Sequence, residues 1–178
     1  MKRKNYLFAM LFSSMLLLGL NACDKDDDNT NYQMGSQDFV TRASSSNMLE
    51  IASGQLAVNQ GVNTEVKAFG QHMVNDHGQT ATEMATLATR KGWTVPSAML
   101  PEHQQMYDAL KGLTGDAFDK QFAVMMVTSH QQTIDLFEKA ASNSGVPDGD
   151  LRSFASGKLP TLKAHLQEAQ QLQANVND

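Results

Sequence analysis

Residues 64–92 read TEVKAFGQHMVNDHGQTATEMATLATRKG. Val66, Phe69, Met73, His77, Thr80, Met84 and Leu87 recur here at spacings of three and four, the repeat of one helix face rather than of a strand. The spacing predicts one long helix that begins just after Asn63 or Thr64 and stops at Lys91-Gly92. At about 100° per residue, His77 falls near the centre of the arc that holds Val66, Met73, Met84 and Ala88. His72 falls off that arc and is expected in solvent.

The pattern recurs further along the chain. Residues 69–80, FGQHMVNDHGQT, and residues 122–133, FAVMMVTSHQQT, share Phe, Met-Val, His and Gln-Thr in register. The second copy lies in a predicted helix that opens at Gly115-Asp116, continues through Phe118, Phe122, Met125, Met126, Thr133, Phe137 and Ala140, and stops in SNSGVPDGD. A preceding helix is predicted from Ser36, as N-cap, through Phe39, Ala43, Glu50, Gly54 and Ala57, ending where Gly61 offers a left-handed cap. A last helix is predicted from about Asp150 to Gln173 through Leu151, Phe154, Leu162, His165, Leu166, Ala169 and Leu172, with a kink or short break at Pro160. Residues 92–114 form a long connection containing Pro96 and Pro101, with one helical piece from Glu102 to Lys111. Four long helices, two short hairpin loops and one long middle connection describe an all-α, ferritin-like four-helix bundle.

The N-terminus sets the expected address. Lys2, Arg3 and Lys4 precede the apolar run LFAMLFSSMLLLGL, which ends in LNAC with Ala22 before Cys23. This is the layout of a cleaved signal peptide over residues 1–22. LNAC resembles the lipobox of bacterial lipoproteins, so Cys23, the sole cysteine, is the expected site of lipidation and the link to a membrane. CDKDDD resembles the acidic signal that sends some lipoproteins of the Bacteroidetes type to the outer face of the outer membrane. Residues 23–36 read as a flexible tether and 37–178 as one domain. The net charge is −5 and the basic residues are scattered, which argues against nucleic acid as a partner. The domain carries no GxSxG, no cysteine nucleophile and no phosphate loop, so no catalytic residue is assigned.

Each long helix places one ligand-type residue on its buried face: Glu50, His77, His130 and His165. Counted from the hairpin loops at about 1.5 Å per residue, the members of each pair differ in height by roughly 4 to 6 Å. The four are therefore expected to converge near mid-height. Three imidazoles and a carboxylate suit iron, manganese, zinc or copper, with Asp76 and Glu168 close enough to support the site or add a ligand. A metal-free network in which Glu50 pairs with a protonated histidine meets the same constraint. Met73 and Met126, each one turn before a histidine, offer soft sulfur for copper or simply fill the core. The Glu-x-x-His pairs of di-iron proteins are absent.

The pieces NMLEIASGQLA, VKAFGQHMVNDHGQT, the Gly115-Asp116-Ala117-Phe118-Asp119 start, MMVTSHQQTIDLFEKAA and FASGKLPTLKAHLQEAQ resemble the ferritin-like family called domain of unknown function 4142, a predicted outer-membrane protein family. The resemblance implies an exported helical bundle and no established reaction. Two functions stay open: a metal-binding envelope protein, and a non-enzymatic structural or interaction module presenting Trp93, Met99, Leu100 and Tyr107. For the second, the competing expectation is that this segment simply packs across the helices.

Overall fold

The computed structural model describes residues 31–177; the expected signal segment and Cys23 lie outside them. Among the described residues there are five helices and no strand: α1 (Ser36–Gln60), α2 (Thr64–Lys91), α3 (Pro101–Lys111), α4 (Gly115–Ala141) and α5 (Gly149–Asn175). None of these helices is long and apolar enough to cross a membrane. The closest pairs are the hairpins α1–α2 and α4–α5, which pack on each other chiefly through α1 and α4.

Local chemistry explains most boundaries. The Asn63 side chain accepts the Glu65 N–H, and Asp148 accepts those of Asp150 and Leu151, so α2 and α5 start on satisfied donors. Gly92, at φ 74°, closes α2 in the left-handed region, as a C-terminal glycine does. Three expectations change. Helix α1 is capped by Gly35 without a side-chain bond rather than by Ser36. Gly61 has φ −57°, so it is not a left-handed cap. What holds that turn is the buried Asp119 of α4, whose carboxylate accepts the N–H groups of Val62 and Asn63. Pro160 does not break α5: both it and Ser156, whose carbonyl loses its helical donor, lie on the exposed side.

The α1–α2 hairpin is built on a close backbone approach. A Cβ on Gly54 would stand 2.6 Å from the Gly70 carbonyl oxygen, and one on Gly70 would stand 2.7 Å from that of Gly54. Backbone cannot yield as a side chain does. Gly54→Ala is therefore expected to destabilise the fold by about 1–3 kcal/mol, whereas Gly78→Ala, with nothing within 4 Å of the new methyl, should add about 0.5–1 kcal/mol. Urea unfolding of the two variants checks the contrast.

The core has two apolar halves. One gathers Phe39, Met84, Phe137, Leu151 and Leu162; the other Met73, Phe118, Phe122, Met126 and Leu172. Full burial of each such side chain contributes about 1.5–3 kcal/mol. Met73 and Met126 pack among phenylalanines in the second half. The connection also packs inward: Leu110 is fully buried, Trp93 lies against the first half, and Met99, Met106 and Tyr107 against the second. Leu100 N–H donates to the Ser45 hydroxyl, and the Gln37 amide clamps the Thr94 backbone. Gln33 and Met34 are pinned to Ser144 and Gly145, so the end of the expected tether already belongs to the folded unit.

Candidate metal centre

Between the two apolar halves lies a polar layer in which every long helix takes part. Glu50 and Asn47 come from α1, His77 from α2, Ser129, His130 and Thr133 from α4, and His165 from α5, all buried. Each histidine follows an apolar residue of its stripe by three or four positions, Met73, Met126 and Leu162 respectively, so helical periodicity turns all three inward.

The rings of His77, His130 and His165 form a nearly equilateral triangle, with centroids 5.6, 5.5 and 5.4 Å apart. One nitrogen from each lies within 4.8 Å of one from each of the others. With metal–nitrogen bonds of about 2.0–2.1 Å, three imidazoles on one ion place their centroids roughly 5.2–5.5 Å apart. The triangle therefore has the dimensions of a three-histidine site.

Hydrogen bonds fix where each ring proton sits. The Asn47 amide NH2 donates to the His77 carbonyl at 2.8 Å, which leaves its oxygen to accept from His77 Nδ1 at 2.9 Å. His130 Nδ1 donates to the Met126 carbonyl at 2.8 Å. His165 Nε2 donates to the Asp76 carboxylate at 3.1 Å. Every outer nitrogen faces an acceptor and must carry the proton, so the lone pairs fall on His77 Nε2, His130 Nε2 and His165 Nδ1. Those three atoms are buried without a hydrogen-bond partner. Burial pushes all three imidazoles below their ordinary range, His130 to about 4, with neighbouring ring charges adding to the effect at His77 and His165. Neutral rings with converging lone pairs and no donor to meet them are what a bound cation requires.

Glu50 stands beside this triangle rather than in it. Its Oε1 lies 3.8 Å from His130 Nδ1, the nitrogen already engaged, and neither carboxyl oxygen makes a hydrogen bond of good geometry. Burial raises its pKa to about 8, with the nearby Ser129 hydroxyl a smaller opposing influence. Burial thus favours the neutral acid beside a neutral imidazole and opposes the ion pair expected of a metal-free network.

Asp76 supports His165. Glu168 instead meets His72 Nδ1 at 3.1 Å, while His72 Nε2 meets Asp76 at 3.2 Å. His72, expected in solvent, is half-buried between two carboxylates, because α5 brings Glu168 to the flank of α2. Asn47 had no signal in the chain beyond lying three residues before Glu50. The Met126 carbonyl, being backbone, had none. A cavity of about 90 Å³ adjoins His77 and His165, with Met84, Phe137 and Phe154 in its wall.

No curated protein matches the chain in sequence. Two solved structures share its fold. "CopM in the Cu(II)-bound form" superposes with a TM-score of 0.66 at 19% identity, covering 80% of this chain and 98% of that one. "CopM in the Ag-bound form (by co-crystallization)" gives 0.64 at the same identity and coverage. A family match spans residues 22–172, most of the chain, and by it the protein belongs to the family described as Domain of unknown function (DUF4142).

Proposed function

We propose that this protein is an envelope lipoprotein that binds a transition-metal ion through His77, His130 and His165. The observation that carries the reading is the gathering of three buried imidazoles, one nitrogen of each within 4.8 Å of the others, with one unpartnered nitrogen on every ring and the other held by a hydrogen bond. Neutral imidazole suits zinc, copper, iron and nickel. The likeness in fold to a protein solved with Cu(II) and with Ag favours copper as the first ion to try. Glu50, 3.8 Å from His130, is a neighbouring acid that modulates the site. The helical arrangement is of the ferritin-like four-helix kind. Lipid on Cys23 anchors it to the outer membrane, with the acidic residues after Cys23 as spacer.

The direct test is elemental analysis of untagged protein, followed by titration of the metal-stripped chain with Cu2+ and Zn2+. One ion per chain, bound with a rise in Tm, is expected. No uptake of any transition ion and no change in Tm would overturn the reading.

The far-side hydrogen bonds give a finer prediction. Asn47→Leu keeps the branched shape and the number of side-chain heavy atoms but frees His77 to place its proton on the inner nitrogen. Metal affinity is expected to fall 10- to 100-fold, read by competition against a chelator, with apo stability lowered by about 1–3 kcal/mol for the buried hydrogen bonds lost.

A further inference from the structure

His165 looks two ways. Its Nδ1 faces the buried triangle, while its Nε2 faces a second group of donors nearer the surface: His72, Asp76 and His165 each place one ligand atom within 4.8 Å of the others. His165 Nε2 lies 3.1 Å from Asp76 Oδ2, and His72 Nε2 3.2 Å from the same oxygen. The His72 ring is 5.0 Å from that of His165, and Glu168 holds its other nitrogen. The side chains of His72, Asp76 and Glu168 are 40%, 39% and 45% exposed, whereas that of His165 is 3% exposed. Two nitrogens and two carboxylates thus stand at the protein–water boundary in contact with the one buried ligand that reaches both sides.

We propose that His72, Asp76 and the outer nitrogen of His165, with Glu168 at the rim, form a second transition-metal site that loads the buried triangle. This rests on the triangle being a metal site. The carboxylates attract a hydrated divalent cation, and His72 supplies a nitrogen ligand. Neutral imidazole has one lone pair and one proton, so His165 serves one site at a time. While Nε2 binds the outer ion, the ring proton is on Nδ1. While Nδ1 binds the inner ion, the proton is on Nε2 and is accepted by Asp76. The exchange passes one proton through water and changes no oxidation state. Each chain therefore holds a single ion, which moves inward along His165.

The test uses metal-stripped protein and Zn2+ or Cu2+ alone. In a His77→Ala/His130→Ala double variant, which removes the inner site, one weaker equivalent should remain and lose at least tenfold in affinity when His72→Ala is added. If the alanines unfold the chain by circular dichroism, His77→Gln/His130→Gln takes their place. In the otherwise unaltered chain, His72→Ala should slow stopped-flow metal uptake about tenfold. Uptake at the parental rate, no His72-dependent binding in the double variant, or two ions held at once by the parental chain would each overturn the proposal. Failure of the triangle reads differently: the parental chain would then bind no tighter than the double variant.

Discussion

Replacing His130 by alanine is expected to weaken metal binding by more than about a hundredfold, since disturbing a partner beyond the ligand already costs 10- to 100-fold. His130 is the most isolated of the three rings from water, and its free Nε2 has no use within the protein. Stability separates this role from packing. An ion at a thousand times its dissociation constant adds about 4 kcal/mol to the folded state, which for a chain of this size raises Tm by roughly 8–16 °C. The variant should lose that metal-induced rise; its metal-free stability falls by about 3–5 kcal/mol for deleting a buried ring, partly offset by removal of an unpaired buried nitrogen. A variant that unfolds even without metal, with the parental Tm indifferent to added ions, would make His130 a structural residue.

Much of this site is written in one-dimensional spacing. Periodicities of three and four, with heights counted from the two hairpin loops, suffice to turn His77, His130 and His165 inward at one level, because helices are rigid rulers. What the spacing misses depends on neighbours. Off-arc His72 reads as solvated on α2 taken alone, and only the approach of α5 gives it Glu168. Ser44, Ser45, Ser46 and Asn47 carry no apolar signal, yet all are buried, because α1 is covered by α2, α3 and α4 together. Small serines and the Gly54–Gly70 contact let the backbones approach. Glu50 lies on the expected face, but its height and rotamer bring it to the engaged nitrogen of His130 rather than to the free one. Helix α1 ends at Gln60 as the spacing implies, but its cap differs because the deciding group, Asp119, is remote in sequence.

The buried acid makes the second large prediction. The Glu50 pKa rises from 4.5 to about 8 on folding because the carboxylate is cut off from water. The unfolded chain thus releases this proton near pH 4.5, while the folded one keeps it up to about pH 8. Between these values the unfolded state binds fewer protons, so stability falls as pH rises through the window. At 1.36 kcal/mol per pH unit the loss reaches about 3 kcal/mol by pH 7. Glu50→Gln removes the titration, and part of the gain is lost to an amide NH2 with no acceptor at hand. The variant is expected to be about 1–3 kcal/mol more stable than the parent at pH 7, with the difference shrinking as pH falls and reversing below about pH 4.5, where only the amide penalty remains. Urea unfolding of metal-stripped protein across pH 4–8 measures it; parallel curves would mean that Glu50 is ionised in the fold. Metal supplies the connection to function. A cation held on the far nitrogen of His130 favours the Glu50 carboxylate, so loading the site should flatten the pH slope of the parent and leave that of Glu50→Gln unchanged. On the proposed reading, a destabilising acid kept against the central histidine would supply a carboxylate that ionises when an ion binds and balances charge that three neutral rings cannot.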